Sequence, residues 1–194
     1  MTTFTPIFRS PIAAPPVADD ADGLRLLDLT GASVTLITGD ADAVVAKALS
    51  ADLPAKPGDL VNLSDSILAR LTPKELYLFG LSADGDMSTT ANLVEAIQKA
   101  KSNAVATDYT HGKAIMKLVG RDATGLLSKI CGLNFQNDAF PNLQVKQTSA
   151  AKVKTLIARV DDEAEPAYYL QVNRPLGQYF WEVAWDAGQE FGIR

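Results

Sequence analysis

The sequence predicts an α+β fold in which two tandem βαβ-type, ferredoxin-like units pack as one pseudo-symmetric body. Residues 34–49 (VTLITGDADAVVAKAL) are echoed by residues 115–130 (IMKLVGRDATGLLSKI), each with an apolar strand pattern, a Gly, one or two Asp and an amphipathic helix pattern. In both halves a strand pair and a second helix pattern follow, at an offset of roughly eighty to ninety residues. Two copies are too few for a solenoid, which needs at least three stacked repeats. A single body with internal pseudo-symmetry is therefore expected.

The first half is predicted to follow a proline-rich arm. Residues 1–22 contain four prolines and end in acidic residues, so we expect an extended, polyproline-like arm that dangles or lies on another surface. Residues 23–103 then form the first repeat. Its predicted elements are a strand or hairpin over 23–38, a helix over 40–50, a hairpin of strands at 66–71 and 75–81, and a helix over 89–101 capped by Thr89 or Thr90.

Residues 104–194 form the predicted second repeat. The expected elements are strands at 104–109 and 114–119, a helix over 122–131 that stops at Gly132, and strands at 144–149, 152–160 and 167–172. The last helix is predicted to begin at Pro175, because the fixed φ of proline suits a first helical turn.

The last helix carries two tryptophans. With ~100° between successive residues, one apolar face is predicted to be the core stripe. Its members are Leu176, Tyr179, Phe180, Val183 and Ala187. Trp181 and Trp185 fall roughly 140° to 180° from Leu176, so both are expected off this stripe, where they would form a protein interface. The alternative is that a loop or the arm of the same chain covers them.

The composition argues against several classes of partner. The net charge is −5, and Lys and Arg are scattered singly, so neither nucleic acid nor an anionic membrane surface is an expected partner. The single cysteine, Cys131, cannot form an internal disulfide and is expected to be a small buried hydrophobe in a reducing compartment. No signal-peptide core and no run of eighteen apolar residues occurs, so a soluble, cytoplasmic protein is expected.

The sequence offers little catalytic chemistry. A nucleophile and base would have to be Cys131 and His111, and a solvated turn is the favoured interpretation of His111. Zinc and calcium motifs are missing, as are the Walker loop and the Gly-x-Gly-x-x-Gly motif. We therefore expect no cofactor to be bound by this chain alone.

Two charged features each have two possible interpretations. The acidic cluster of residues 161–165 could be a paired-carboxylate site, but a solvated hairpin loop is favoured. Arg159 could clamp a carboxylate in a bidentate manner, whereas an ion pair with the adjacent acidic loop is the stronger alternative. Arg70, its counterpart in the first repeat, has the same two interpretations.

Several short motifs together resemble the gamma subunit of heterotetrameric sarcosine oxidase and, more widely, the folate-binding aminomethyltransferase family that includes the glycine-cleavage T-protein. They are the Gly and Asp-Ala before a Leu-Leu helix in residues 113–130, the Phe-Pro at 140–141, Arg159 closing a strand, and the tryptophan helix ending in Glu-Phe-Gly at 190–192. Residues 9–12 (RSPI) are similar to the Arg-Ser-Pro-Leu start of gamma subunits, and residues 69–73 (ARLTP) resemble the strand before the first hairpin.

This resemblance implies the aminomethyltransferase folate-binding fold and a non-catalytic subunit of an amine oxidase in one-carbon metabolism. The implied partner is a large flavin- and dinucleotide-bearing subunit, and FAD, FMN, NAD and tetrahydrofolate would belong to partner subunits. The candidate interface residues are Arg9, Pro11, Ile12, Trp181 and Trp185. The motifs of active relatives are incomplete: no glycine follows Arg159, Tyr168 and Tyr169 stand where an acidic residue is expected, and the cysteine motif of iron–sulfur-repair relatives is missing.

Two alternatives stay open. One is a stand-alone folate-binding protein or aminomethyltransferase-like enzyme, which would use a cleft between the halves and place Arg159 on the glutamate tail of folate. The other is a homo-oligomer that associates through the same apolar face.

Overall fold

The computed structural model describes residues 9–13, 23–83, 86–100, 102–163 and 165–194. Its strands are β1 (Arg25–Asp28), β2 (Val34–Thr38), β3 (Leu60–Asn62), β4 (Ser66–Thr72), β5 (Glu75–Gly80), β6 (Val105–Asp108), β7 (Lys113–Val119), β8 (Gln144–Ala150), β9 (Val153–Arg159) and β10 (Ala167–Asn173). Its α-helices are α1 (Asp42–Leu49), α2 (Ser88–Ala100), α3 (Ala123–Ile130) and α4 (Gly177–Gly188).

The strands form two five-stranded antiparallel sheets with the same internal order. The first sheet runs β3-β4-β5-β2-β6 and the second runs β8-β9-β10-β7-β1. Each strand of one sheet thus has a counterpart at the same position in the other, as the internal repeat predicts. The predicted α+β fold with two related units is confirmed.

The outer strands are exchanged between the two sheets. β1 pairs with β7 of the second sheet, and β6 pairs with β2 of the first. Each sheet therefore contains strands from both sides of residue 104. The hairpin considered for residues 23–38 is wrong, because β1 and β2 belong to different sheets. Two glycines permit the exchange at equivalent corners: a Cβ on Gly39 (φ +92°) would lie 2.2 Å from the Asn103 carbonyl oxygen, and one on Gly120 (φ +131°) 2.7 Å from that of Gly23.

The two sheets pack face to face, with a pair of helices on each outer face. Three apolar layers result. The outer layer of the first sheet includes Ile37, Val45, Leu78, Leu93 and Ile97. The central layer between the sheets includes Val34, Ile67, Phe79, Ile115 and Tyr169. The outer layer of the second sheet includes Met116, Leu126, Leu127, Tyr168 and Phe180.

The orientation of α4 differs from the predicted one. Leu176 and Tyr179 are 40% and 46% exposed, whereas Trp181 is only 3% exposed and belongs to the core. The buried positions of the helix are Gly177, Phe180, Trp181, Ala184, Ala187 and Gly188. Four of these six are Gly or Ala, which let the helix approach its neighbours closely. Phe180 and Ala187 of the predicted stripe are buried, whereas Leu176 and Tyr179 are not, so the core face is shifted toward Trp181. The expected position of Trp181 off the core is wrong.

Several local features refine the predicted elements. α2 begins at Ser88, whose backbone N–H donates to the Asp86 carboxylate at 2.8 Å. Thr90 is not a cap, because its buried hydroxyl is hydrogen-bonded to that of Thr35 at 2.8 Å. The short strand β3, between the predicted helix over 40–50 and the predicted strand at 66–71, was not predicted. The predictions for residues 1–8 and 14–22 of the arm and for Lys101, the last residue of the predicted helix over 89–101, lie outside the described residues.

Candidate functional site

A cleft of about 460 Å³ opens between the two sheets at one end of the central layer. Successive side chains of a strand point to opposite faces of the sheet, so every second residue of a strand faces the central layer. At this end of the sheets, such residues line the cleft. The leucines 36, 71 and 156 form the apolar part of the wall. The remaining lining residues are Glu75, Tyr77, Tyr109, Lys113, Gln147, Lys154, Thr155, Gln171 and Asn173. The central layer thus changes from apolar to polar where it meets solvent.

Gln171 is deeply buried in the wall of the cleft, with 2% of its surface exposed. Its Oε1 accepts a hydrogen bond from the Tyr77 hydroxyl at 2.8 Å, which joins β10 of one sheet to β5 of the other. Its Nε2 has no hydrogen-bond partner in the structure. Burial raises the pKa of Tyr77, and the nearby Tyr109 raises it further, so this hydroxyl stays protonated and able to donate.

Two lysines extend into the same cleft. The Lys113 ammonium donates to Asn173 Oδ1 at 3.0 Å and lies 5.8 Å from the centre of the Tyr109 ring. Burial lowers the pKa of Lys113, and the positive charge of Lys154 lowers it further. Within the described part of the chain, neither lysine forms an ion pair with a carboxylate.

Arg159, the predicted carboxylate contact, is only 4% exposed and lies outside the cleft lining. Its Nε and one terminal nitrogen donate to the two carboxylate oxygens of Asp161 at 2.8 and 3.0 Å, and its other terminal nitrogen donates to the Phe140 carbonyl at 2.7 Å. These hydrogen bonds to the Asp161 carboxylate raise the pKa of Arg159. The structure therefore contains the local ion pair that was the alternative to a ligand contact.

Arg70 has the equivalent position in the first half and is 6% exposed. It donates to the carbonyl oxygens of Pro54 and Pro73 and to the Asp42 carboxylate, at 2.7, 3.2 and 2.8 Å. In both halves the arginine therefore ties the end of a strand to neighbouring backbone and to one carboxylate.

The acidic cluster at residues 161–165 is the connection between β9 and β10. Asp162 and Glu165 exchange backbone hydrogen bonds at 2.9 Å, which closes the loop. The Asp162 carboxylate is 2.5 Å from the Lys117 ammonium, and that of Glu165 is 3.9 Å from Arg121. These contacts fit a hairpin loop with surface ion pairs. Among the residues that the structure describes, no group of acidic, His or Cys side chains has the arrangement of a metal site.

Cys131 and His111 occupy unrelated environments. Cys131 is buried in the outer layer of the second sheet, with its Sγ 3.9 Å from Thr148 Oγ1. His111 is an exposed residue of the 3₁₀ turn Thr110–Gly112. The positions correspond to the buried hydrophobe and the turn residue that the sequence favoured.

The described part of the arm lies against the start of α4. Ile12 is 7% exposed and joins the core, Pro11 lies beside Gly177, and the Ala13 N–H donates to Gln178 Oε1 at 2.7 Å. The Arg9 carbonyl oxygen accepts a hydrogen bond from Arg174. The Ile12 side chain is therefore buried against its own chain and is not exposed for contact with a partner.

Trp181 and Trp185 stack on each other with ring centroids 6.0 Å apart and an interplanar angle of 16°. Trp181 is buried, whereas Trp185 is partly buried and lines a groove with Ala13, Gln178 and Glu182. Of the five predicted interface residues, Arg9 is exposed, Pro11 and Trp185 are partly exposed, and Ile12 and Trp181 are buried.

Sequence reasoning did not single out Lys113, Lys154, Tyr77 or Gln171, although the structure brings them to one cleft. The one available signal was Gln171, a polar residue within the otherwise apolar strand segment AYYLQV. A buried amide in such a position usually has a specific partner or function. The lysines carried no local signal, because alternating charge is also typical of an exposed strand face.

Comparisons with known proteins agree with this architecture. The fold is similar to a chain of the heterotetrameric sarcosine oxidase from Corynebacterium sp. U-96, with a TM-score of 0.76, 18% identity, and coverage of 88% of this chain and 86% of that chain. It is also similar to the glycine cleavage system aminomethyltransferase T from Bartonella henselae, with a TM-score of 0.66, 16% identity, and coverage of 89% of this chain and 47% of that chain. At these identities the likeness concerns the fold.

No helix in the described ranges has both the length and the apolar character needed to cross a bilayer. The predicted resemblance to the sarcosine oxidase gamma and aminomethyltransferase group is confirmed at the level of the family. The family model of the GCVT N-terminal domain matches residues 28–194, so this chain belongs to that family.

Proposed function

We propose that this chain is a non-catalytic, gamma-type subunit of a sarcosine oxidase-like amine oxidase complex in one-carbon metabolism. The observation that carries the proposal is the mutual coverage with one chain of a heterotetrameric oxidase, 88% of this chain and 86% of that one. The aminomethyltransferase, in contrast, has about twice the matched length, since only 47% of it is covered. The matched region therefore spans most of one chain of the oxidase assembly and about half of the transferase.

The described residues also support a role in assembly. Arg70 and Arg159, the two buried guanidinium groups of the strand ends, are engaged by the chain's own carbonyl and carboxylate groups. Such arrangements stabilise a scaffold and leave little for substrate. The partner of the complex would be a large flavin- and dinucleotide-bearing subunit, and FAD, FMN, NAD and tetrahydrofolate would be held by partner subunits. A cytoplasmic heterotetramer is part of this proposal.

The surface proposed for the partner is centred on α4 and the described part of the arm. Leu176 and Tyr179 are 40% and 46% exposed, and Trp185 borders a groove beside the arm. Arg9 is exposed near the start of the same helix, where its carbonyl contacts Arg174. Aromatic and arginine side chains are enriched in protein interfaces. Tyr179 and Trp185 of α4 together with Arg9 of the arm offer both, and the buried Trp181 does not have to move.

Assembly experiments test this surface. The tagged chain is co-expressed with its candidate partner subunits and analysed by gel filtration, with Tyr179→Ser and Trp185→Ala as interface variants. Val105→Ser is the matched control, because Val105 is 57% exposed on β6, in the other sheet. We expect the complex to be lost or weakened only in the α4 variants, while their circular dichroism stays unchanged. Complex formation equal to wild type in both α4 variants would refute this interface.

The family match favours one alternative, a stand-alone folate-binding or aminomethyltransferase-like protein. In this geometry Arg159 does not fit the expected contact with the glutamate tail, because Asp161 and Phe140 engage it away from the cleft. Titration of the pure chain with tetrahydrofolate tests this alternative. Tight binding that Arg159→Ala abolishes would establish it, and the absence of binding would exclude it. A stable homo-oligomer without another partner in gel filtration would favour self-association.

A further inference from the structure

We propose that the cleft between the two sheets binds a small organic monocarboxylate, with its carboxylate between Lys113 and Lys154 and its body toward Gln171. The site is separate from the α4 surface and goes beyond the subunit role, so either inference can fail without the other. It includes residues from four adjacent strands of the second sheet, β7, β10, β9 and β8, which face Leu36 and Leu71 of the first sheet.

Strand register brings the polar groups together. Lys113 of β7 is paired with Asn173 of β10, and Gln171 is paired with Leu156 of β9. Lys154 stands two residues before Leu156, so both side chains point to the same face of the sheet. The lysines therefore lie at the mouth of the cleft, and the Gln171 amide lies deeper along the same wall.

The charges of the cleft suit an anion with a single charge. Lys113 and Lys154 are close enough for the charge of one to disfavour the charge of the other, and no carboxylate neutralises either in the described chain. Glu75 on the facing sheet also lines the cleft, which leaves one net positive charge among these three groups. A carboxylate bound between the ammonium groups would relieve their mutual repulsion. A dianionic phosphate would exceed the available positive charge.

The deeper wall specifies the rest of the ligand. The Gln171 Nε2 is a buried donor without an acceptor, an arrangement that folded proteins seldom retain without a use. Around it, Leu36, Leu71 and Leu156 supply apolar surface. A volume of about 460 Å³ lies within the range of small-molecule sites. The matching ligand is a small carboxylic acid with an apolar body, and benzoate has both parts. An additional acceptor on that body would satisfy the Gln171 amide.

Titration of the isolated full-length chain with benzoate, monitored by NMR, tests the site. Benzamide has the same shape without the charge and is the matched control ligand. We expect benzoate to shift the Gln171 side-chain amide signals saturably and benzamide to shift them far less. Lys113→Met and Lys154→Met should each weaken benzoate binding roughly tenfold, because each removes a charged hydrogen-bond donor. Lys99→Met on the outer helix α2 removes the same charge and should leave binding unchanged.

Three results would overturn the proposal: no saturable shift with benzoate or with acetate, equal binding of benzamide, or equal benzoate affinity in the two cleft variants and wild type. If a cleft variant fails to fold, the contrast between benzoate and benzamide on the wild-type Gln171 signals decides by itself. A second readout is independent of ligand: Lys154→Met should raise the pKa of Lys113, because one cause of its lowered value is then removed.

Discussion

Truncation of Trp181 should destabilise the protein far more than truncation of Leu176, although the sequence pattern assigned the core position to Leu176. Trp181 is 3% exposed and packs among buried residues of the second half, whereas Leu176 is 40% exposed. A buried tryptophan removes about 150–250 Å² from water. At about 25 cal/mol per Å² this corresponds to about 4–6 kcal/mol of transfer free energy. The Ala side chain retains part of this transfer free energy, so Trp181→Ala should lower the free energy of unfolding by about 3–5 kcal/mol.

Urea unfolding followed by far-ultraviolet circular dichroism measures the effect without depending on tryptophan fluorescence. Leu176→Ala should cost less than about 1 kcal/mol, because surface substitutions have small effects. Trp185→Ala should fall between the two, since Trp185 is partly buried and stacks on Trp181. A cost below about 1 kcal/mol for Trp181→Ala, or an equal cost for Leu176→Ala, would show that the orientation of α4 described here is wrong.

Two further predictions concern the corners and the alkaline stability. Gly39→Ala and Gly120→Ala should each lower the free energy of unfolding by about 2 kcal/mol or more, because both glycines have positive φ and a Cβ there would clash with neighbouring backbone. Gly132→Ala is the control and should be nearly neutral, because nothing lies close to its Cβ position. Thermal unfolding measures all three. Burial, aided by the charge of Asp162, raises the pKa of Tyr169 to about 12. The folded state therefore holds this proton more tightly than the unfolded state, whose tyrosine titrates near 10, so its contribution is complete below about pH 10 and is lost between about pH 10 and 12. Tyr169→Phe should reduce the slope of stability against pH in that window, and an unchanged slope would contradict the assignment.

The repeat allowed the pseudo-symmetric fold to be predicted because its signals are local. Strand alternation, helical periodicity and the glycine after each strand all lie within about fifteen residues of one another. The exchange of outer strands was not predictable in this way. The four residues of β1 have the same sequence pattern whether they pair with β2 or with β7. The choice of partner depends on the close approach of backbone at Gly120, which no local pattern encodes.

The site was predicted less well than the fold. Arg159 was correctly given two interpretations, and the ion pair with Asp161 is the one present in the structure. The cleft was missed because its residues come from separate strands and meet only through sheet register. The core face of α4 was predicted only in part, because Phe180 and Ala187 are buried but Leu176 and Tyr179 are exposed. Small residues such as Gly177 and Ala184 mark where this helix packs most closely. Side-chain size alone is therefore a poor guide to the buried face of such a helix.

The most direct test of the proposed subunit role is purification of the tagged protein from its own cells, with mass spectrometry and an absorbance spectrum of the eluate. The account predicts co-elution with a large, yellow flavin-containing partner and other subunits of an amine oxidase. A colourless protein that elutes alone, or only with copies of itself, would contradict the subunit role.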